Sequence, residues 1–214
     1  MRRRELLFKA DTIKPGLPEA PGCYIAFHRK SDGANCAVTA DVWPDLQNAG
    51  EVADGVLLHL EGKAPIVMAP TNASPEMLYW SPYSVSCNSW YQKVELVKTT
   101  YNGRDLINNI VAKISGNYAG PLCYQYSRPG IPTTKWWLPS GGELQDIYDH
   151  KDAINSCLEY ISEASQLSDD YYYWTSVESS DVYAWCMDFK NGSFYNVFQK
   201  YSRSYYVRPV AAFE

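Results

Sequence analysis

The chemistry most strongly represented near the C-terminus of this chain is that of molecular recognition. Between Tyr171 and Tyr206, eight tyrosines, six serines, two asparagines and two aspartates make up half of the residues. Tyrosine offers a large amphipathic contact area and loses little rotamer freedom, while serine and asparagine form adaptable hydrogen bonds. This mixture predicts a binding surface rather than a core.

The thiols and imidazoles are the next groups whose chemistry matters. Neither set shows CxxC or HxxxH spacing, so no zinc or other metal site is predicted. In a chain of this size without a secretory signal, thiols stay reduced, and we expect no disulfide framework. The residues are Cys23, Cys36, Cys87, Cys123, Cys157, Cys186, His28, His59 and His150.

Catalytic groups are poorly represented in the tyrosine-rich region. Nucleophilic catalysis needs a base beside the nucleophile, but this region contains one cysteine, Cys186, and no histidine follows His150. A GxSxG motif is absent. The paired carboxylates at 169–170 and at 146 and 149 are interpreted as a loop and a solvated helix face. We therefore expect a protein that is not an enzyme and that has no cofactor.

Composition narrows the class of protein further. The 214 residues are 46% hydrophobic, enough for a folded core, and the net charge of −5 argues against nucleic-acid binding. Three arginines at positions 2–4 imitate the start of a signal peptide, but no apolar stretch follows them. No segment approaches the ~20 apolar residues of a membrane helix. We expect synthesis in the cytoplasm without a signal peptide, and no membrane insertion.

Strand signals lie at both ends of the chain. The apolar run 23–28 predicts an early strand after a proline-rich lead-in, and residues 55–69 predict two strands joined by a turn at 61–63. Residues 70–98 are expected to be mostly irregular and packed by their own aromatic side chains. Asn191-Gly192, between two strand-like runs, predicts a hairpin.

Two helices are predicted from apolar stripes of helical period. The first covers Arg104 to Ser115, with Asn102 as N-cap and Gly116 as stop. The second begins at a capping box formed by Ser140 and Glu143 and continues for about five turns to Ile161. Two helices with short antiparallel strands give an α+β fold class.

Three groups of residues, in order, resemble a known family. They are WLPSGGEL at 137–144; YWTSVE at 173–178 with Ala184-Trp185; and Asn191-Gly192, Lys200 and VRPV at 207–210. The set resembles the C-type-lectin-like domain in the variable (target) proteins of diversity-generating retroelements from gut Bacteroides and their phages. The resemblance implies a C-type-lectin-like, formylglycine-generating-enzyme-like fold over residues 51–214, and leaves residues 1–50 as an N-terminal lead-in of unknown function.

The same resemblance implies a variable region at about 174–206. In that family, diversification at adenines of Asn codons reaches Asn, Tyr, Ser, Asp, Phe and Cys, but not Trp, Met, Lys, Gln or Glu. Lys190 and Gln199 depart from this pattern. The implied ligand-binding positions are Ser180, Asp181, Tyr183, Cys186, Asp188, Asn191, Ser193, Tyr195, Asn196, Phe198, Tyr201, Ser202, Ser204 and Tyr205. The implied scaffold residues are Trp137, Trp174, Glu178, Trp185, Gly192 and Arg208.

Physical roles follow for the scaffold. The three tryptophans are expected to lie buried beneath the variable surface, and Arg208 is expected to pair with Glu178 or to cap carbonyl groups. Replacing Tyr183, Tyr195 and Tyr205 by alanine is expected to weaken partner binding and leave the melting temperature nearly unchanged.

Two relatives of this fold imply other chemistries. The formylglycine-generating oxidases need a pair of reactive cysteines, and here the corresponding region has Cys186 alone. Calcium-dependent lectins carry EPN or QPD and WND triplets, which are missing, and no carboxylate cluster forms a calcium cage. Glycan binding through tyrosines would therefore be independent of metal.

The predicted function is non-enzymatic ligand or receptor binding, with phage-encoded recognition of a host receptor as the main hypothesis. A bacterial surface or pilus-tip adhesin is the first alternative, and a formylglycine-generating-type oxidase is the second. The expected partner is a cell-surface protein or glycan, and a homo-oligomer is compatible with multivalent display. The expected location is the virion, or alternatively the cell surface.

Overall fold

A computed structural model of the chain describes residues 10–214; the arginines at 2–4 lie outside the described residues. The largest element is a six-stranded sheet in which every pair of neighbours is antiparallel. The strands are β1 (Gly22–His28), β2 (Asn35–Val38), β3 (Ala53–His59), β4 (Ile66–Met68), β6 (Trp136–Trp137) and β11 (Val210–Ala212). Their spatial order is β2-β1-β3-β4-β11-β6.

Two smaller antiparallel sheets carry the tyrosine-rich region. One is a three-stranded meander of β7 (Tyr172–Glu178), β8 (Ala184–Asp188) and β9 (Ser193–Tyr195), with β8 in the centre. The other pairs β5 (Leu78–Tyr79) with β10 (Ser204–Tyr205). The predicted division at residue 50 runs through the six-stranded sheet, because β1 pairs with β3 along almost its whole length.

Six helices lie within the described elements, rather than the predicted two. They are α1 (Trp43–Ala49), α2 (Val94–Lys98), α3 (Gly103–Lys113), α4 (Ala119–Gln125), α5 (Gly141–Asp149) and α6 (Lys151–Leu158). The α+β class with short antiparallel strands is confirmed. Residues 70–98, expected to be irregular, contain only β5 and α2.

The predicted five-turn helix is wrong, because the structure divides it at His150 into α5 and α6. His150 has ψ 16°, outside helical geometry. The apolar stripe has a gap at this point, since the positions three and four residues after the buried Ile147 are His150 and Lys151. Without apolar contacts on that turn, tertiary packing does not hold one straight helix.

Several local predictions are confirmed. Helix α3 buries Leu106, Ile107 and Ile110, although Asn102 makes no side-chain capping bond there. The capping box of α5 forms, with the Ser140 backbone N–H donating to the Glu143 carboxylate at 2.7 Å. All six cysteines are free.

The predicted hairpin at Asn191-Gly192 connects β8 to β9, but its turn is not the two-residue type that Asn-Gly favours. That turn needs positive φ at both residues, and only Gly192 has it, at +70°. The loop instead covers residues 189–192. Gly192 is also required sterically, because a Cβ there would lie 2.5 Å from the Tyr148 ring.

Candidate binding surface

The register of the three-stranded sheet places many of the predicted ligand-binding residues on one face. Residues opposite each other in a ladder share a face, and side chains alternate between faces along a strand. One face therefore carries Tyr172, Trp174, Cys186, Asp188, Ser193 and Tyr195, and the other carries Tyr173, Met187 and Phe194.

Residues 198–205 cover the first face and convert part of it into an aromatic cluster. The Tyr172 ring lies 5.8 Å from the Phe198 ring and 5.0 Å from the Tyr205 ring. The Tyr205 ring also lies 4.7 Å from Trp174, and burial raises the pKa of Tyr205 far above its usual range. Tyr195 and Phe198 are half-buried in the same cluster. Tyr205 therefore packs inside the cluster, so we now expect its replacement by alanine to lower the melting temperature, contrary to the expectation from sequence.

Two predicted ligand-binding residues lie in the interior. Cys186 is 0% exposed and Asp188 is 9% exposed; both lie on the central strand, on the face that residues 198–205 cover. Burial raises the pKa of the Cys186 thiol strongly, which keeps it protonated and weakly nucleophilic. The Asp188 side chain accepts a 2.9 Å hydrogen bond from the Lys190 backbone and shapes the hairpin. Both residues are corrected from ligand contacts to structural positions.

The remaining predicted positions divide between the two ends of β8. Ser180, Asp181 and Tyr183 lie at the β7–β8 turn, and an isolated bridge joins Tyr183 to Gln199, which brings residues 199–204 alongside. Asn191 lies at the other turn, roughly 17 Å away along a five-residue strand. The exposed members are Asp181, Asn191, Tyr201 and Ser202, and the half-buried ones are Ser180, Tyr183, Ser193, Asn196 and Ser204.

A second segment, which the sequence prediction missed, completes this surface. Tyr79, Tyr83 and Trp90 are 46%, 55% and 52% exposed, so they do not pack among themselves as predicted for residues 70–98. Tyr79 pairs with Ser204 across β5 and β10. The Ser84 hydroxyl donates to Asp181 at 2.9 Å, and Trp90 forms a bridge with Glu178. We call the surface formed by Tyr79, Tyr83, Trp90, residues 180–183 and residues 201–204 the loop surface.

A buried ion pair lies under the loop surface. The side chains of Lys200 and Glu178 are both 0% exposed, and the ammonium donates to the carboxylate. Lys200 also donates to the carbonyl oxygens of Val85, Ser180 and Asp181, at 2.7, 2.8 and 3.1 Å. Its ammonium lies 4.6 Å from the Trp80 ring centroid.

The Glu178 carboxylate satisfies a second set of donors. It accepts from the backbone N–H groups of Cys87 and Asn88, at 3.0 and 2.5 Å. Burial lowers the pKa of Lys200, and the hydrogen bond with Glu178 opposes that shift. The pair therefore joins three chain segments, 85–88, 178–181 and 200, that otherwise have little regular structure. Among the scaffold residues, Glu178 is thus paired with Lys200 and not, as predicted, with Arg208.

Arg208 takes the other predicted role. It is 1% exposed and donates to the carbonyl oxygens of Ala69 and Ser165, at 3.3 and 3.0 Å. The predicted capping of carbonyl groups by Arg208 is therefore confirmed. Because β11 begins two residues after Arg208, these bonds also fix the position of the chain where it enters β11.

The scaffold tryptophans are buried, and each has a partner for its indole N–H. Trp174 and Trp185 donate to the carbonyl oxygens of Leu78 and Tyr91, both at 2.8 Å. Trp137 donates to the Glu143 carboxylate at 3.2 Å. The first two bonds tie the three-stranded sheet to residues 78–91, so the tryptophans hold the two halves of the loop surface together.

Within residues 10–214 no three His, Cys, Asp or Glu side chains converge to form a metal site. None of the helices there has the length and apolar character needed to cross a bilayer.

Comparison with known proteins gives one informative likeness. No protein-family model matches the chain, and no curated protein matches it in sequence. Among solved structures, the chain is similar to a fimbrial protein from Bacteroides ovatus, with a TM-score of 0.52 and 18% identity. The match covers 92% of this chain and 45% of the fimbrial protein, so this chain spans less than half the length of that protein. At this identity the likeness shows a shared fold.

Proposed function

We propose that this chain is a non-enzymatic ligand-binding domain of a bacterial surface adhesin and that the loop surface contacts the partner. The observation that carries the proposal is the exposure of three aromatic side chains on a segment that pairs with the serine- and aspartate-containing loops at 178–181 and 204, over a buried ion pair. Exposed aromatic groups gathered at one place favour a binding site over a solvated surface. The buried pair holds them in place, which lowers the entropic cost of binding.

The fold it shares with a fimbrial protein supports display at the cell surface more than display on a virion. The partner is a cell-surface protein or glycan, and several copies on one fibre would raise avidity. The deeply buried Cys186 thiol supports a non-enzymatic role, since a protonated, inaccessible thiol is a poor nucleophile.

A second candidate function is a retroelement-diversified receptor-binding protein with a C-type-lectin-like fold, encoded by a phage or by a gut Bacteroides. It is favoured by the burial and exposure of part of the region, although Cys186 and Asp188, which diversification can reach, are buried, and Lys190, which it cannot reach, is exposed. Residues that diversification of Asn codons cannot reach, such as Trp174, Glu178 and Lys200, are buried, while Asp181 and Ser202, which it can reach, are exposed. A reverse transcriptase gene and a near-identical template repeat beside the coding sequence would support this candidate, and their absence from the locus would exclude it.

Binding to intact cells tests the adhesin proposal. Fluorescently labelled protein is incubated with a panel of gut bacterial and epithelial cells, and bound fluorescence is measured by flow cytometry. We expect Tyr83→Ser and Trp90→Ser to weaken binding about tenfold each, since an aromatic anchor contributes on the order of 1–2 kcal/mol. Their melting temperatures should stay within about 2 °C of the parent, because both side chains are half exposed.

Tyr160→Ser is the matched control, because Tyr160 is 44% exposed and lies outside the loop surface. Binding of the control should equal that of the parent protein. The proposal fails if no cell type retains the parent protein, or if Tyr83→Ser and Trp90→Ser bind as well as the Tyr160 control.

A further inference from the structure

A second concave site lies beside β7, apart from the loop surface. It is a cleft of about 540 Å³ lined by nine residues, none of which carries a formal charge. Tyr173 contributes to it from the opposite face of β7 to Tyr172, so the cleft and the aromatic cluster do not share that face. The residues that matter for its chemistry are Asn72, Ser165, Gln166, Tyr171, Tyr173 and Tyr206.

The walls of the cleft combine aromatic rings with amide groups. The Tyr171 and Tyr206 rings lie 4.4 Å apart, and Tyr171 is 38% exposed. Gln166 is exposed at the rim, and the buried side-chain oxygen of Asn72 has no hydrogen-bond partner among the described residues. Tyrosine rings pack against the apolar C–H face of a pyranose, and amides bond its hydroxyl groups. Such a lining fits a sugar better than an apolar ligand.

A positive charge lies behind the part of the cleft wall that Ser165 forms. Arg208 is buried there and does not itself line the cleft. Within residues 10–214 no carboxylate forms an ion pair with this guanidinium. Arginine stays charged even when burial lowers its pKa. A buried cation without an acidic partner is costly, and a nearby anion recovers part of that cost.

Ser165 connects this charge to the cleft. Its hydroxyl oxygen accepts from the Arg208 guanidinium at 3.2 Å, so its hydrogen points elsewhere and is free to donate. The carbonyl of Ser165 accepts from the same guanidinium, and its N–H donates to Pro70 at 2.9 Å, which fixes the residue in place. A hydroxyl that accepts from a guanidinium is a stronger donor, because hydrogen bonds in a chain polarise one another.

We propose that this cleft binds a sugar that carries a carboxylate, with its ring against Tyr171 and Tyr206 and its carboxylate near the Ser165 hydroxyl. The site is independent of the loop surface, and it needs no metal, because the positive charge is supplied by Arg208. With both sites, one adhesin domain would bind an acidic sugar in the cleft and a separate cell-surface partner at the loop surface.

Isothermal titration calorimetry of the whole chain with methyl glucuronide and methyl glucoside tests the proposal, because the two sugars differ only at C6, where the first has a carboxylate and the second a hydroxymethyl group. We expect the glucuronide to bind at least about fivefold more tightly at low ionic strength, with the difference shrinking in roughly 0.5 M salt. Tyr171→Ala should weaken both sugars about tenfold. Ser165→Ala should weaken the glucuronide selectively and leave the glucoside unchanged.

Tyr160→Ala serves again as the control and should change neither affinity. Equal affinities for the two sugars, or an unchanged glucuronide affinity in Ser165→Ala, would overturn the role of the carboxylate. Absence of saturable binding for both sugars up to about 20 mM would overturn the site itself. If Tyr83→Ser still weakens cell binding about tenfold in that case, the adhesin proposal stands and only the cleft is refuted.

Discussion

Replacement of Lys200 by methionine tests whether the buried pair with Glu178 holds the loop surface together. The change keeps much of the aliphatic stem and removes the ammonium with its four hydrogen bonds, to Glu178 and to the carbonyl oxygens of Val85, Ser180 and Asp181. It leaves a carboxylate that is 0% exposed without its cation.

The magnitude follows from complete burial. Removing one partner of a buried ion pair costs about 3–5 kcal/mol, most of it the penalty for the uncompensated charge that remains. In a domain of this size, that corresponds to a fall in melting temperature of roughly 6–20 °C. Lys190→Met, on the neighbouring hairpin, is the matched control. Lys190 is exposed, so its replacement should shift stability by less than about 0.5 kcal/mol.

Urea unfolding monitored by tryptophan fluorescence measures the global effect, and thiol labelling measures the local one. The Cys87 backbone donates to Glu178 and its thiol is buried, so loosening of residues 85–88 should speed its labelling roughly tenfold or more. The double variant Lys200→Met/Glu178→Gln should recover part of the lost stability, since it removes the orphaned charge. A loss below about 1 kcal/mol in Lys200→Met, with Cys87 labelled at the parent rate, would refute this account of the pair.

Two other predictions concern the hairpin and the buried acids. Gly192 and Gly62 both have positive φ, near +70°, so alanine is strained at either position. Only at Gly192 would the added Cβ also lie 2.5 Å from the Tyr148 ring. Thermal unfolding should show a loss of about 1 kcal/mol at Gly62 and roughly 1–3 kcal/mol more at Gly192; equal losses would contradict the clash. Burial raises the pKa of Cys157 from 9.0 to about 12 and also raises the pKa of Tyr172, so the folded state keeps protons that the unfolded chain releases. The contribution of these groups to the free energy of unfolding is fully present below pH 9 and should fall as the pH rises toward 12. Urea unfolding at about pH 8, 10 and 11 measures this fall. A free energy of unfolding that does not change with pH would mean that these groups are accessible to solvent.

Local patterns were the most predictable part of the fold. The apolar stripe of α3, the capping box at Ser140 and Glu143, and the Asn191-Gly192 hairpin each depend on residues within a few positions of one another. The burial of the scaffold tryptophans was predictable as well, because few other places accommodate such large apolar rings. The break at His150 corresponds to a gap in the apolar stripe of the predicted helix from Ser140 to Ile161. Helix propensity alone, however, does not distinguish one kinked helix from two separate helices.

The candidate surface was predictable only in part. Asp181, Tyr201 and Ser202 were predicted as ligand-binding positions and are exposed, whereas Cys186 and Asp188 are buried by the segment that folds over their face. Alternation along a strand assigns residues to two faces, but it does not say which face another segment will cover. The exposed Tyr79, Tyr83 and Trp90 were missed because they approach the other residues from a distant part of the chain.

By itself, the sequence determined the residue types available at the proposed binding surface and the local elements of this protein. The tyrosine, serine and asparagine content and the short-range signals at caps and turns need no distant partner. Tertiary structure decided which of these residues act together. Lys200 finds its acceptor at Val85 across 115 positions, and Ser84 meets Asp181 across 97. Contacts at such separations depend on the folding of the whole chain, so the buried pair, the loop surface and the cleft above Arg208 follow only from the three-dimensional arrangement.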